Sequence, residues 1–441
     1  MKPRRPACED RQGDFLKVEL QDIVDPAHPM VKLADSIKWS RFDEAFGGFY
    51  DPENGCPAKP TRLMVALHYF KYTYDISDET VAAVWVENPY WQYLSGMKYF
   101  EHRPPIDPSS MTRWRKRVGE AGAEVLLRET IAAGLVLGAI KPSQLERVNV
   151  DTTVQEKHVR FPTDARLYDR ARERLVKAAK RREIPLRQNY RRVGKRLLLA
   201  VNRYMHARQV RRAERSRKKL HTILGRVIRD IERKVPQPDE KLAELLEIAR
   251  RIHSQQRGDK RKIYSVHEPQ VECLSKGKAH KRYEFGVKVS VAATSRGGWF
   301  VGALAMPGNP YDGHTLAAAL EQVGRLARSP GQVFVDRGYR GHKYEGPIQV
   351  HVDRGRRGRI ARRLWRWMKR RAAVEPAIGH LKVEHRMDRC RLWGAEGDAF
   401  NAILSAAGMN FHKLLKHASF LRLFLRFLLQ FLRPSQIFAP S

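Results

Sequence analysis

An excess of 20 positive charges sits in residues 161–262, which hold 32 lysines and arginines against 12 acids. The same stretch has the apolar spacing of helices. Leu220, Ile223, Leu224, Val227 and Ile231 fall at i, i+3, i+4, i+7 and i+11, and Leu242, Leu245, Leu246, Ala249 and Ile252 follow suit. Pro185, Pro236 and Pro238 interrupt the pattern. Residues 166–262 therefore predict a basic helical insertion of about three helices, a hairpin with one apolar and one basic face. A purely structural insertion and a polyanion-facing one both fit. The whole chain carries +36 over 441 residues, more than solubility needs, which points to a polyanionic partner.

The flanking segments read differently. Residues 1–140 are mostly helical: Leu63, Leu67 and Phe70 recur at helical spacing after Pro60, and Asp107-Pro-Ser-Ser is an N-cap cluster. That cluster opens a helix bearing Arg113, Trp114, Arg115, Lys116 and Arg117, either a solvated charged face or the recognition helix of a helix-turn-helix. From Arg147 to Val154 apolar and polar residues alternate as in a half-buried strand. Strand patterns return at Tyr283–Ala292 and Trp299–Met306 across a Ser295-Arg-Gly-Gly turn, then at Gly331–Asp336 and Val350–Asp353. A short helix follows Asp312, and Arg359–Arg386 reads as one basic helix. The order is α/β with a mixed sheet, without an internal repeat.

Composition removes several classes. A hydrophobic content of 42% excludes a wholly disordered basic tail, and the length suits two or three domains. Cys8, Cys56, Cys273 and Cys390 form no CxxC pair, which argues against a disulfide framework or zinc finger and fits a reducing cytosol. The first thirty residues are charged throughout, unlike a secretory signal. Phe420–Leu432 is apolar but short and carries Arg422 and Arg426. It predicts a terminal amphipathic helix rather than a membrane span.

Two aspartates stand at strand positions. Asp151 follows Val148 and Val150, and Asp336 ends Val333-Phe-Val335. A carboxylate in or at the end of a core strand needs a compensating partner, and a divalent cation would serve. Glu375, four residues after Arg371 and seven before Lys382, shares one helix face with both. An ordinary i, i+4 salt bridge explains this spacing equally well. Three carboxylates in basic surroundings are what a two-metal phosphoryl-transfer site requires, with Mg²⁺ preferring oxygen ligands. Asp353 and Glu384 are rival acids, Asp353 the better one because it too ends a strand.

The chain resembles bacterial DDE-type insertion-sequence transposases, of the insertion-sequence-five-like group. The resemblance rests on Val150–Lys157, Phe161–Tyr168, Ile263–Pro269, Ser275–Gly286, Gly308–Leu316, Val335–Gly341 and Arg371–Lys382, and runs from about residue 60 to 412. It implies an RNase H-like catalytic core with Asp151, Asp336 and Glu375 as catalytic metal ligands. It also implies two Mg²⁺ ions, for which Mn²⁺ can substitute, and nicking of element ends followed by strand transfer. The family's Tyr-x2-Arg-x3-Glu-x6-Lys pattern maps onto Arg371, Glu375 and Lys382, with Met368 in place of the tyrosine and Trp365 or Trp367 as substitutes for it. Arg371 and Lys382 would contact terminal phosphates. Asp312 and His314 lie in a family motif, as a helix cap or as part of the site. His267 and Glu268, adjacent on an extended chain, point apart and do not suit joint ligation.

The expected organisation is a helical DNA-binding and dimerisation domain at 1–140 and a catalytic domain at 141–165 and 263–412. The insertion occupies 166–262, and an amphipathic helix and tail occupy 413–441. The partners expected are double-stranded transposon ends and target DNA, bound by a homodimer without a membrane, in the bacterial cytoplasm at the nucleoid. The competing readings are a decayed or repurposed DNA-binding protein and an RNA-binding basic protein. Metal-dependent cleavage separates the first reading from both.

Overall fold

The computed structural model describes residues 2, 18–51, 57–275, 282–353 and 361–432. Cys8, Cys56, the 276–281 part of the Ser275–Gly286 motif and the Arg359 start of the expected basic helix lie outside them. The chain divides into two compact units, residues 1–155 with 288–441, and residues 156–287. No helix among the described residues is long and apolar enough to cross a membrane.

The first unit begins with helices α1 (Leu20–Ile23), α2 (Pro29–Ser36), α3 (Ser40–Phe46), α4 (Thr61–Thr73), α5 (Asp78–Glu87), α6 (Pro89–Leu94) and α7 (Ser109–Val136). Helix α4 is buried on every side except at Arg62, as an apolar helix without a polar stripe must be. It packs on α15 (Gly394–Leu432), which also covers α7. Gly408 of α15 permits this approach, since a Cβ there would stand 2.6 Å from the Tyr72 backbone. The helix expected from Phe420 is thus the end of a 39-residue helix that starts at Gly394. It is continuous because no proline or glycine breaks it after Gly408. The side chains of Arg422 and Arg426 lie outside those described.

His68 of α4 is fully buried against Trp114, with ring centroids 4.5 Å apart, and its Nδ1 lies 2.7 Å from the Met64 carbonyl oxygen. Burial, reinforced by the charge of Arg115, holds its pKa down at about 3. The unfolded chain takes up this proton near pH 6.5 and the folded chain does not. Stability should therefore fall as pH drops through this window, by about 1.4 kcal/mol per unit for this residue. Urea unfolding at pH 7 and pH 5 should show a shallower pH dependence in His68→Leu than in wild type. Equal slopes would refute it.

The sheet is built from β1 (Arg147–Lys157), β3 (Glu284–Thr294), β4 (Phe300–Met306), β5 (Gln332–Val335) and β6 (Gln349–Val352), with β7 (Arg389–Cys390) pairing β1. Across it the order is β4-β3-β1-β5-β6. β3 and β4 are an antiparallel hairpin, while β1, β5 and β6 run parallel. Helix α12 (Asp312–Leu326) makes the crossover into β5, and α13 (Arg362–Arg370) and α14 (Val374–Glu384) follow β6. This mixed sheet with its helical N-terminal region is the RNase H-like α/β arrangement the resemblance implies.

The second unit contains α8 (Asp164–Arg181), α9 (Arg191–His206), α10 (Val210–Lys234) and α11 (Glu240–Ser254), and β2 (Glu272–Leu274), which pairs antiparallel with Glu284–Gly286 of β3. The breaks at Pro185 and Pro236–Pro238 are where the prolines predict. A further break at residues 207–209 comes from no proline: Arg208 takes a left-handed φ of 56°. Four helices therefore replace the expected hairpin. Leu220, Leu224, Val227, Ile231, Leu242, Leu246, Ala249 and Ile252 form their shared core. α9 approaches α8 through Gly194, where a Cβ would meet the buried Asp169–Arg172 ion pair at 2.5 Å.

Candidate active site

The parallel register sets out two polar rows on one face of the sheet. Arg147, Gln332 and Gln349 are neighbours on β1, β5 and β6. Arg147 Nε donates to Gln332 Oε1 at 2.9 Å, and Gln332 Nε2 donates to Gln349 Oε1 at 3.1 Å. Four residues on, extending the same register, stand Asp151, Asp336 and Asp353. Between β5 and β6 the ladder persists to that level, because Asp353 N–H donates to the Val335 carbonyl at 3.0 Å. In-register residues of parallel strands point to the same face, which puts Asp151, in the middle of β1, on the same face as Asp336, just past the end of β5. Both are partly buried.

Local turns fix these acids. Asp151 Oδ1 accepts from the N–H of Thr152 at 2.7 Å. Asp336 caps a single 3-10 turn, Arg337–Tyr339, by accepting from Gly338 N–H at 2.9 Å. A Cβ at Gly338 would crowd both carboxylates, lying 3.0 Å from Asp336 and 3.1 Å from Asp312. Asp312 is the first residue of α12 and its side chain does not cap that helix. It receives Lys288 Nζ at 2.9 Å and the Thr152 hydroxyl at 3.1 Å. Tyr339 is fully buried beside these acids. Burial, then Asp151, Asp312 and Asp336, raise its phenol far above the ordinary range. His314, two residues beyond Asp312 along α12, is exposed.

The basic helix is not one helix. α13 ends at Arg370, a 3-10 turn spans Arg371–Ala373, and α14 begins at Val374. Asn149 of β1 donates to the Arg370 carbonyl at 3.3 Å, and Trp367 lies under Arg147 and Arg296 at 4.9 and 5.0 Å. The chain thus runs along the Arg147–Asn149–Asp151 face of β1. Arg371 reaches Asp353 at 3.8 Å, with a side chain only 14% exposed. Glu375 is exposed in the first turn of α14, one turn beyond Arg371, and Lys382 is half-buried two turns further. Met368 is buried, so the residue at the family's tyrosine position faces inward while Trp367 is held by arginines.

Arg115 requires a correction. Arg113, Lys116 and Arg117 are exposed on α7, but Arg115 is buried, donating to both oxygens of Asp78 at 3.0 and 2.7 Å. Asp78 draws it into the interior beside Trp114, which fills the core against Phe46 and His68. It leaves the DNA-facing set. His267 and Glu268 do go separate ways: Ser265 engages the imidazole at 3.0 Å and Lys157 the carboxylate at 3.5 Å.

Two family models match the chain: the Transposase domain (DUF772) over residues 18–117 and the Transposase DDE domain over residues 251–411. The chain belongs to the DDE-type transposases of insertion sequences. It is also 52% identical over 209 residues, 47% of its length and 100% of the relative, to the uncharacterized protein ORF8 in the nfe locus of Rhizobium meliloti. No solved structure matches. Membership makes the transposase a phosphoryl-transfer enzyme of a family that uses divalent metal ions. Asp151 and Asp336 suit such ions, since carboxylate oxygens on adjacent strands are hard donors. Among the described residues, only Glu384, His385 and His412 bring three ligand atoms within 4.8 Å of one another.

The sequence missed the pairing of Asp353 with Arg371. The signal was present: Arg147-Val-Asn-Val-Asp151, Gln332-Val-Phe-Val-Asp336 and Gln349-Val-His-Val-Asp353 share one polar-Val-x-Val-Asp pattern.

Proposed function

We propose that this transposase binds the terminal inverted repeats of its element and cuts and joins DNA at Asp151, Asp336 and Glu375. The parallel pairing of β1 with β5, whose register continued by two residues sets Asp151 beside Asp336, carries the reading. Two Mg²⁺ ions held by these three acids would activate the attacking oxygen and stabilise the leaving one. Arg371, charge-balanced by Asp353, and Lys382 face the terminal phosphates. Arg113, Lys116 and Arg117 on α7 bind the ends with other helices of residues 1–140, and the basic insertion supports DNA or dimer contacts. Joining two ends requires a homodimer on DNA, formed in the bacterial cytoplasm at the nucleoid. The motif pattern supports the insertion-sequence-five-like group.

Strand nicking of a fragment carrying the element's own ends tests this, with wild type and Asp151→Ala compared in Mg²⁺, Mn²⁺ and chelator. Metal-dependent nicking at the ends, lost in the variant with end binding retained, is expected. Tight end binding without nicking by wild type would instead indicate a DNA-binding protein that has lost catalysis.

A further inference from the structure

A second ligand cluster lies apart from the carboxylate row. Glu384 ends α14, His385 follows it, and His412 comes from α15, with one ligand atom of each within 4.8 Å of the others. His385 is 2% exposed, and its Nδ1 lies 2.9 Å from the Tyr72 carbonyl oxygen of α4. A carbonyl only accepts, so Nδ1 carries the proton and Nε2 keeps its lone pair. This is how a metal-ligating imidazole is usually oriented. The His412 ring stands nearly perpendicular to it, centroids 5.5 Å apart, and its Nδ1 is buried without a hydrogen-bond partner. A buried imidazole nitrogen left unsatisfied is costly, and a metal bond would satisfy it. Glu384 is oriented by His380, whose Nδ1 lies 2.6 Å from Oε1. Both side chains are about half exposed, at 44% and 56%, so an ion can enter from solvent.

We propose that Glu384, His385 and His412 bind a Zn²⁺ ion, separate from the catalytic cations. Two imidazoles and a carboxylate suit zinc, whereas magnesium favours an all-oxygen shell. Water or a swung His380 completes four-coordination. The ion joins the end of α14 to α15 and, through His385, to Tyr72 of α4. Glu375 lies at the other end of that same α14, so the site anchors the helix that carries it.

Chelator-stripped full-length protein is titrated with Zn²⁺, or with Co²⁺ as a coloured probe, in excess Mg²⁺ to fill oxygen-only sites. Wild type should take up one equivalent, show the visible bands of four-coordinate cobalt, and gain thermal stability that chelator reverses. Glu384→Gln, at an exposed position that leaves the fold intact, and His412→Gln should each weaken binding by at least about 100-fold. Asp151→Asn should leave it unchanged. No uptake by wild type, uptake unaffected by Glu384→Gln, or uptake lost in Asp151→Asn would each overturn the assignment.

Discussion

Glu375→Gln is expected to lower end nicking by at least about 10³-fold, or roughly 4 kcal/mol of transition-state stabilisation, while Asp353→Asn lowers it less than about tenfold. Both substitutions keep side-chain shape and remove one charge. They differ in what that charge faces. Asp353 lies in the row with Asp151 and Asp336, but Arg371 is turned towards it at 3.8 Å. A carboxylate beside a guanidinium is already compensated and is the poorer cation ligand of the two. Glu375 is exposed one helical turn from Arg371, with its carboxylate available to a cation. The readout is nicking of a labelled end fragment in Mg²⁺, with end affinity measured in parallel and expected to stay within about twofold, since neither acid binds phosphate. Wild-type nicking by Glu375→Gln together with its loss in Asp353→Asn would make Asp353 the third acid.

The second large effect is on stability. Asp78 lies between Lys71 Nζ at 2.7 Å and the Arg115 guanidinium, and both cationic side chains are only 6% exposed. Burial alone would raise the Asp78 carboxyl, but Arg115 and Lys71 overcome it and hold it well below the usual carboxylate range. Lys71 fares less well: burial and Arg115 push it down to about 8 despite Asp78. Asp78→Ala leaves two buried cations without their shared anion and should cost about 3–5 kcal/mol in urea unfolding at pH 7. Because the folded-state pKa of Asp78 is depressed, its contribution is full above about pH 4 and is lost as pH falls below it. The gap between wild type and variant should therefore narrow in acid. Arg113→Ala, at an exposed position of the same helix α7, should change stability by less than about 0.5 kcal/mol. An Asp78→Ala variant as stable as wild type would show that this network contributes nothing net.

Much of this was legible in the residues. Alternation marked β1 and β3, a turn followed by an apolar run marked β4, and a short apolar run marked β5. Prolines marked two of the breaks in the inserted helices. The break at Arg208 was not visible, since a left-handed arginine leaves no compositional trace. Arg115 misled for a different reason. A run of cations around Trp114 reads as a surface, and only packing shows that Asp78, 37 residues earlier, draws one of them inward. Asp151 and Asp336 stood out as acids where valines belong. That their strands are neighbours is a matter of strand order, which depends on contacts 185 residues apart in sequence. Glu384, His385 and His412 were beyond sequence reasoning as a group, because α14 and α15 meet only in the folded chain.

The Arg147–Gln332–Gln349 row is, in mechanical terms, the zero mark of a ruler. Residues 333–335 of β5 are buried on both faces, so apolar alternation cannot tell that strand how far to slide against its neighbours. The hydrogen-bonded row can, and the aspartates follow it by four residues, about 13 Å at a strand's rise. A one-residue slip would turn Asp336 to the opposite face while costing the apolar core little. The amides of Gln332 and Gln349, remote from any DNA chemistry, would then matter less for whether the chain folds than for where its acids end up.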